Sequence, residues 1–181
     1  MLFALALLVG CEPAADPGFR VGKFAVLRSL VDNNCGGVAM PPADPTSYNV
    51  EIRQDGTRGY WAVDDGDFQE GTINSSGAIY FTASSTTTLQ AADGGIGLLG
   101  CTIIESETIS GNVVLIADAG VGIDAAGSDA GAVTTALTAT DNHTFTPSPG
   151  SNCNALLTAY GGYFDALPCA AHFTITGHRS E

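Results

Sequence analysis

The stretch YNVEIRQDGTRGYWAV, residues 48–63, decides the fold class of this chain. Apolar and polar residues alternate over 48–53, which is the period of a half-buried strand, and Asp55-Gly56 separates this run from a second expected strand over 57–63. An Asp-Gly pair between two such runs is a strong hairpin signal and favours a type I′ turn, in which both central residues take positive φ. The stretch therefore predicts two antiparallel strands, with Trp61 and Val63 directed to the core.

Turn signals continue on the C-terminal side of this hairpin. Clusters of turn residues at 64–67 and 74–77 separate short strands expected over 68–73 and 78–84, which extends the hairpin into a four-strand meander. Further strands are expected over 21–31, 86–89, 101–106, 108–117, 133–140 and 171–177, with at most a short helix near 155–160. Roughly eight to ten short strands at this spacing predict an all-β fold, either an antiparallel sandwich or an up-and-down barrel.

The charge of the chain restricts its partners. It has 181 residues, six Lys plus Arg against 19 Asp plus Glu, and a net charge of −13. We expect no nucleic-acid partner, because phosphate binding needs clustered Lys or Arg. Anionic lipid headgroups would also be repelled, so the acidity is interpreted first as favouring solubility and second as a cation-binding role. The length fits one domain with a single core.

An uncharged apolar run from Met1 to Gly10 ends in Leu8-Val9-Gly10-Cys11. This ending resembles the lipobox of bacterial lipoproteins. The resemblance implies that residues 1–10 are a signal peptide, that Cys11 is lipidated, that 11–18 are a lipidated tether and that 19–181 form a single β domain. The leader carries no Lys or Arg and is short for a secretory signal, so we expect translation to start upstream of Met1.

The same resemblance implies a location and a membrane contact. In enterobacterial lipoproteins an Asp after the lipidated Cys tends to hold the protein at the inner membrane, and this chain has Glu12 there. We therefore expect a protein of the bacterial cell envelope, at the outer membrane or cell surface. Its contact with the membrane would be made through the lipid anchor, because stable anchoring needs acyl chains in the bilayer.

The cysteines predict a disulfide framework. Without Cys11 an even number remains, namely Cys35, Cys101, Cys153 and Cys169. In an exported domain this favours two disulfides, with three possible pairings. We favour Cys35–Cys101 as the long link and Cys153–Cys169 as a local clip. No closely spaced Cys/His set indicates zinc.

Acidic residues offer no convincing metal site. Asp118, Asp124 and Asp129 lie in a Gly-rich loop and are the residues that would bind calcium if the chain did. Their spacing does not match the EF-hand loop, which needs acidic ligands at positions 1, 3 and 5 and a Glu at 12. We expect no metal and no cofactor.

Two of the three histidines, His172 and His178, are interpreted as solvent-facing. His172 and His178 share one face of the last strand, but six strand positions span roughly 20 Å, so they cannot bind one ion together. His143 lies in Asn142-His143-Thr144, which matches a glycosylation sequon and is expected in a loop.

No catalytic motif is recognisable. Neither Gly-x-Ser-x-Gly nor Ser-x-x-Lys occurs, so we expect a protein that is not an enzyme. The aromatic residues Tyr60, Trp61, Tyr80 and Phe81 favour core packing over a ligand platform. The sequence thus predicts a lipid-anchored extracytoplasmic β domain with a structural or binding role, and it identifies no protein or small-molecule partner. The alternatives are a lipocalin-like carrier of a small apolar ligand and a hydrolase with an unrecognised site.

Overall fold

A computed structural model describes residues 16–39, 45–93, 99–114 and 136–180. Within these ranges eight antiparallel strands form a closed up-and-down barrel, in which each strand pairs with its sequence neighbour and the last pairs with the first. This confirms the all-β prediction and selects the barrel. The strands are β1 (Phe19–Asn33), β2 (Thr46–Asp55), β3 (Arg58–Val63), β4 (Gln69–Ile73), β5 (Ala78–Gln90), β6 (Cys101–Val113), β7 (Ala136–Pro147) and β8 (Cys169–Arg179). Two 3₁₀ turns, Asn154–Leu156 and Thr158–Tyr160, occupy the segment expected to be helical.

The β2–β3 hairpin forms as predicted, but with a different turn. Asp55 pairs with Arg58, so the two central residues of the turn are Gly56 and Thr57. Gly56 alone has a positive φ, of 61°, which matches a type II′ turn and not the expected type I′. A type I′ turn would force the β-branched Thr57 into the left-handed region, where its side chain clashes. Trp61 is buried as predicted, whereas Val63, at the end of its strand, is exposed.

The strands differ greatly in length, and this shapes the barrel. β3 and β4 have six and five residues, whereas β5, β6, β7, β8 and β1 have between 11 and 15. All eight strands meet at one end, called here the closed end, which holds the turns at 56–57 and 74–77. At the opposite end, called the far end, the five long strands continue beyond the short ones as an open wall.

The closed end contains the main hydrophobic core. The rings of Trp61 and Phe81 lie 5.6 Å apart and tilted, and Phe81 packs over the backbone of Gly59 and Gly71. Inward-facing side chains from all eight strands fill this half of the barrel, as close packing requires. The buried members are Phe24, Val26, Val50, Ile52, Trp61, Ile73, Ile79, Phe81, Ile109, Val113, Leu137 and Ile175.

The far end contains a second core, built around two disulfides. Cys35 bonds to Cys169 and Cys101 bonds to Cys153, with sequence separations of 134 and 52 residues. Two disulfides were predicted correctly, but the favoured pairing, Cys35–Cys101 with Cys153–Cys169, is wrong. Ile103 and Phe164 are buried beside the four cysteines.

Strand order explains the true pairing. β1 is followed by Cys35 and β8 starts at Cys169, and these two strands pair when the barrel closes, which brings the two cysteines together. Cys101 starts β6. After β7 the chain passes beside it, where Asn152 N donates a hydrogen bond to Gly100 O. The next residue on each side of this bond is a cysteine, so Cys153 meets Cys101. The predicted local clip assumed that cysteines close in sequence meet, but this barrel places the ends of neighbouring strands together instead.

Candidate functional site

A layer of charged side chains lies between the two apolar cores. Arg28, Glu105, Glu107, Asp141 and His143 occupy inward-facing positions of β1, β6 and β7, in the same alternation as the buried core residues of those strands. We call these five residues the charged layer. Buried charges are costly unless they are paired, so their grouping inside a barrel indicates a specific role.

The β6–β7 register assembles half of this layer. Glu107 and His143 are direct cross-strand partners, and Asp141 lies two residues before His143 on the same inward face. Side chains of directly opposed residues are the ones that touch across a sheet. The three residues therefore converge, and one potential ligand atom from each lies within 4.8 Å of the others.

Arg28 enters the layer from β1 and pairs with Asp141. Its Nε lies 2.8 Å from Asp141 Oδ2, and its guanidinium carbon lies 3.6 Å from the centroid of the Phe173 ring. Asp141 is 2% exposed, so this ion pair is largely withdrawn from water. Removing either partner would leave an uncompensated charge in a poorly hydrated place.

His143 is held on both ring nitrogens. Arg28 Nη2 donates to its Nε2 at 2.6 Å, and because a guanidinium has no acceptor, Nε2 must be unprotonated. Nδ1 then carries the proton and donates to Glu105 Oε1 at 2.9 Å. Nε2 also lies 3.1 Å from Asp141 Oδ1, an oxygen that receives no hydrogen bond. In this tautomer Nε2 has no proton to donate to either oxygen of Asp141, which lie 3.1 and 3.2 Å away.

The pKa values in the layer record competing effects. Burial raises the pKa of Glu107, and the nearby Asp141 carboxylate raises it further. Burial lowers the pKa of His143, but hydrogen bonding and charge from Asp141, with help from Glu105, leave it above its ordinary value. Protonating Nε2 would provide a donor to Asp141 and break the contact with Arg28. The pKa shift of Glu107 is thus mainly an effect of burial, whereas that of His143 comes from its carboxylate neighbours.

The charged layer is open to water on one side. The side chain of Glu105 is 40% exposed and that of Glu107 is 29% exposed, although both point inward. Ser85 and Thr87, at inward positions of β5, are also exposed. The reason is that β4 pairs with β5 only as far as Phe81 and leaves the rest of β5 without a partner on that side in the described chain. We call this opening, bordered by the charged layer with Ser85 and Thr87, the cup.

Tyr48 adds a phenol near the cup. It lies on β2 and packs against the core of the closed end. Burial raises its pKa to about 12, with a counteracting effect from Arg28. Tyr48 is therefore a neutral hydrogen-bonding group at any physiological pH.

The sequence analysis missed this site because it misjudged His143. That residue was expected in a loop, but β7 continues to Pro147 and places it inside the barrel. The alternation of Asp141, His143 and Phe145 with threonine and asparagine was the available signal. His172 and His178 lie on the outer face as expected, and His172 pairs with Asn142 through a hydrogen bond.

Other predicted site residues lie outside the described residues. They are Cys11, the lipidation candidate, and Asp118, Asp124 and Asp129, the calcium candidates. Of the residues expected to form a tether, the structure describes 16–18, and the Asp16 carboxylate pairs with Arg53 at 2.6 Å on the outside of the barrel.

The outer face of β5–β8 is chemically distinct from the cup. Its outward positions hold no Lys, Arg, Asp or Glu, in a chain of net charge −13. Threonine suits an exposed strand face because of its β-branched shape, and its hydroxyl is well hydrated. The hydroxyl-bearing residues are Thr82, Ser84, Thr86, Thr88, Thr102, Ser106, Thr108, Ser110, Thr138, Thr140, Thr144, Thr146, Thr174 and Thr176.

Two shallow grooves also occur on the described surface. One, of about 530 Å³, follows the outside of β1 and is lined by Leu27, Ser47 and His178. The other, of about 410 Å³, lies beside Cys153 and Leu167 at the far end. Neither is lined by Asp, Glu, Lys or Arg, so of these three places only the cup brings carboxylates and a guanidinium together.

No helix in the described parts of the chain is long and apolar enough to cross a membrane. Comparison with protein-family models, with curated proteins and with solved structures finds no match to this chain.

Proposed function

We propose that this protein is a lipid-anchored extracytoplasmic binding domain, without catalytic activity, that takes a small cationic or strongly polar ligand in the cup. The observation that carries this proposal is the exposure of Glu105 and Glu107 inside a barrel whose other half is packed with apolar side chains. Inward-facing carboxylates that keep contact with water can offer their charge to a ligand that enters between the strands. Concave surfaces with a few convergent polar groups are the usual form of a ligand site.

The charge of the cup indicates the sign of its ligand. Three carboxylates, those of Glu105, Glu107 and Asp141, face the single guanidinium of Arg28 within the charged layer. With a neutral His143 the layer has an excess of two negative charges. A cation restores the balance, whereas an anion would be repelled.

Two features support the extracytoplasmic location. The far end is cross-linked by two disulfides, and such bonds persist mainly in oxidising compartments. The lipobox-like ending at Cys11 supplies the means of attachment, and residues 12–18 would then join the anchor to β1. At the outer membrane or cell surface, the net charge of −13 would keep the barrel away from anionic headgroups.

A lipocalin-like carrier of an apolar ligand is less well supported. The apolar half of the interior is occupied by the twelve packed side chains of the main core. The accessible half is charged, so an apolar ligand entering it would strip water from carboxylates at high cost. A fluorescent fatty-acid probe should therefore give the same signal with this protein as in buffer alone.

A hydrolase is a second candidate, because carboxylates do converge in the cup. The raised pKa of Glu107 would suit a general acid, and Asp141, held by Arg28, would suit its anionic partner. Asp141 is nevertheless 2% exposed and paired with Arg28, so it is poorly placed to contact the reacting atoms of a substrate as large as a glycoside. A screen of glycoside substrates that detected turnover lost in Glu107→Gln would favour this candidate over pure binding.

The anchor and compartment are tested by the intact mass of the protein extracted from the membranes of its own host. We expect a chain that begins at Cys11 with acyl groups attached, and a gain of the four hydrogens of two opened disulfides on reduction. A mass that retains residues 1–10, with free thiols, would overturn the anchored extracytoplasmic reading.

The cup is tested separately by NMR titration with small amines, divalent cations and matched anions. We expect chemical-shift changes at Glu105 and Glu107 with cations and none with anions, and a weaker response in Glu105→Gln. Glu70→Gln, on the exposed surface of β4, is the matched control that should respond like the parent protein. Equal responses in both variants would contradict a ligand site in the cup.

A further inference from the structure

The proposed cation-binding cup can be assigned a specific ligand set. Glu107 and His143 oppose each other on β6 and β7, and Asp141 adjoins them on the same face. Their potential ligand atoms lie within 4.8 Å of one another. A tetrahedral ion with bonds of about 2.0–2.2 Å holds its ligand atoms about 3.4 Å apart. The partly exposed Glu107 side chain has the freedom to close that difference.

Asp141 supplies an independent observation. It is 2% exposed, and its Oδ1 accepts no hydrogen bond although it lies 3.1 Å from His143 Nε2. A buried carboxylate oxygen without a donor is costly and calls for a partner. Because Nε2 accepts from Arg28, it has no proton to offer Oδ1. In this tautomer Nε2 and Oδ1 are two acceptors 3.1 Å apart, an arrangement that a cation in place of the Arg28 donor would stabilise.

Glu105 supports this arrangement through the other ring nitrogen of His143, Nδ1. It accepts a hydrogen bond from His143 Nδ1 at 2.9 Å, which fixes the ring tautomer and leaves Nε2 without a proton. Metal-binding histidines almost always donate their other ring N–H to a carboxylate or carbonyl in this way. Glu105 is therefore a positioning residue and not itself a ligand.

We propose that His143 Nε2, Asp141 and Glu107 form a site for a divalent first-row transition metal, with zinc as the ion they suit best. An imidazole nitrogen with two carboxylates suits zinc, whereas calcium and magnesium take oxygen ligands. The site rests on the proposed function, since it places the ligand in the cup. It differs from the loop of Asp118, Asp124 and Asp129, which shares none of its residues.

Arg28 acts in this site as an internal competitor. Its Nη2 occupies the lone pair of His143 Nε2, so an entering ion must displace it. The Arg28 side chain is partly exposed and can turn toward the opening of the cup. Replacing it by methionine keeps much of the packing on Phe173 and removes both the competing donor and the repelling charge.

The test is zinc titration of the purified full chain with both disulfides formed, followed by calorimetry and by NMR of the histidine rings. We expect one zinc ion per chain and a large shift of the His143 Nε2 resonance. His143→Gln and Glu107→Gln should each weaken binding by roughly a hundredfold, and Glu105→Gln by about ten- to a hundredfold. His178→Gln, which removes an exposed histidine of the outer face, should bind like the parent.

Arg28→Met gives a result in the opposite direction. We expect it to bind zinc about tenfold more tightly, and zinc to raise its thermal stability more than that of the parent protein. This gain does not depend on a variant that loses function, so misfolding cannot imitate it.

The outcomes separate the two proposals. Absence of zinc binding with an unshifted His143 resonance, or equal affinities in His143→Gln and His178→Gln, would overturn the metal site. If amines still shifted Glu105 and Glu107 in that case, the cup would stand as a binding surface. If neither zinc nor amines acted there, both proposals would fall.

Discussion

The guanidinium of Arg28 holds the carboxylate of Asp141 at 2.8 Å, between two apolar cores and almost out of reach of water. We expect Arg28→Met, without added metal, to lower the free energy of unfolding by about 3–5 kcal/mol, because it leaves a buried charge unpaired. Urea unfolding measures this loss. Arg58→Met, which breaks the exposed pair with Glu70 at 3.7 Å, is the control and should cost about 0–1 kcal/mol. Equal losses of unfolding free energy in the two variants would show that the buried pair of Arg28 and Asp141 stabilises the fold no more than the exposed pair.

The two disulfides should contribute unequally. Replacing Cys35 and Cys169 by alanine opens a link of 134 residues, and replacing Cys101 and Cys153 opens one of 52. We expect each pair to cost about 2–5 kcal/mol, with the longer link costing more because its loss frees more of the unfolded chain. Denaturant titrations of the two double variants give the comparison. A larger loss for the shorter link would mean that packing at the far end outweighs chain entropy.

We expect position 71 to tolerate no residue larger than glycine. A Cβ at this position would lie 2.4 Å from the Tyr80 carbonyl oxygen and 2.3 Å from the Phe81 ring, and the backbone contact cannot be relieved by a rotamer change. We expect Gly71→Ala to destabilise the barrel by about 1–3 kcal/mol through overpacking. Gly37→Ala, where a Cβ meets nothing within 4 Å, should change stability by about 0.5 kcal/mol or less. Thermal unfolding of both variants would reveal the difference.

We expect Tyr48 to ionise at a higher pH than an exposed tyrosine. Its pKa of about 12 lies above the ordinary value of 10.0, so the folded chain keeps this proton where the unfolded chain has lost it. The resulting stability is present below pH 10 and is lost as the pH rises toward 12. Rapid ultraviolet titration should show a tyrosinate step near pH 12 that is missing in Tyr48→Phe. A Tyr48 step at the ordinary value would contradict its burial.

Asp65 gives a pH effect of the opposite sign. A hydrogen bond from Lys23 at 2.8 Å, with the charge of that residue, holds the pKa of Asp65 below its ordinary value. Its contribution to stability is therefore present above the unfolded pKa of 3.8 and is lost as the pH falls through the lower folded value. Carbon-detected NMR should show the pKa of Asp65 rising in Lys23→Gln. An unchanged titration curve would mean that the contact is absent in solution.

The sequence predicts the strands well where the alternation is local. The hairpin around Gly56 and the meander to Phe81 follow from periodicity and turn residues within a few positions of each other. The pairing of Cys35 with Cys169 could not be predicted this way, because it depends on β1 and β8 closing the barrel over more than a hundred residues. Local signals carry no information about such closure.

The charged layer was hidden for a related reason. Glu107 and His143 become neighbours only through the β6–β7 register, which is set by contacts between strands and not by either strand alone. Asp141 adjoins a sequon and was not singled out in the sequence analysis. Its inward position is indicated by the water-facing threonines that alternate with the inward residues of β7. A residue that alternates with solvent-facing threonines in a strand therefore deserves to be read as inward-facing, even when it is charged.

The direction of β1 also sets how the molecule would stand on a membrane. The chain enters the barrel at Phe19, at the closed end, and leaves β1 at Asn33, at the far end. With an acyl chain on Cys11, the short stretch before Phe19 would hold the closed end toward the bilayer. The far end, with its two disulfides, would then point away from the bilayer, and the cup would lie on the side of the barrel beside β5. The direction of β1 would thus orient the barrel on the membrane, with the closed end near the bilayer and the far end away from it.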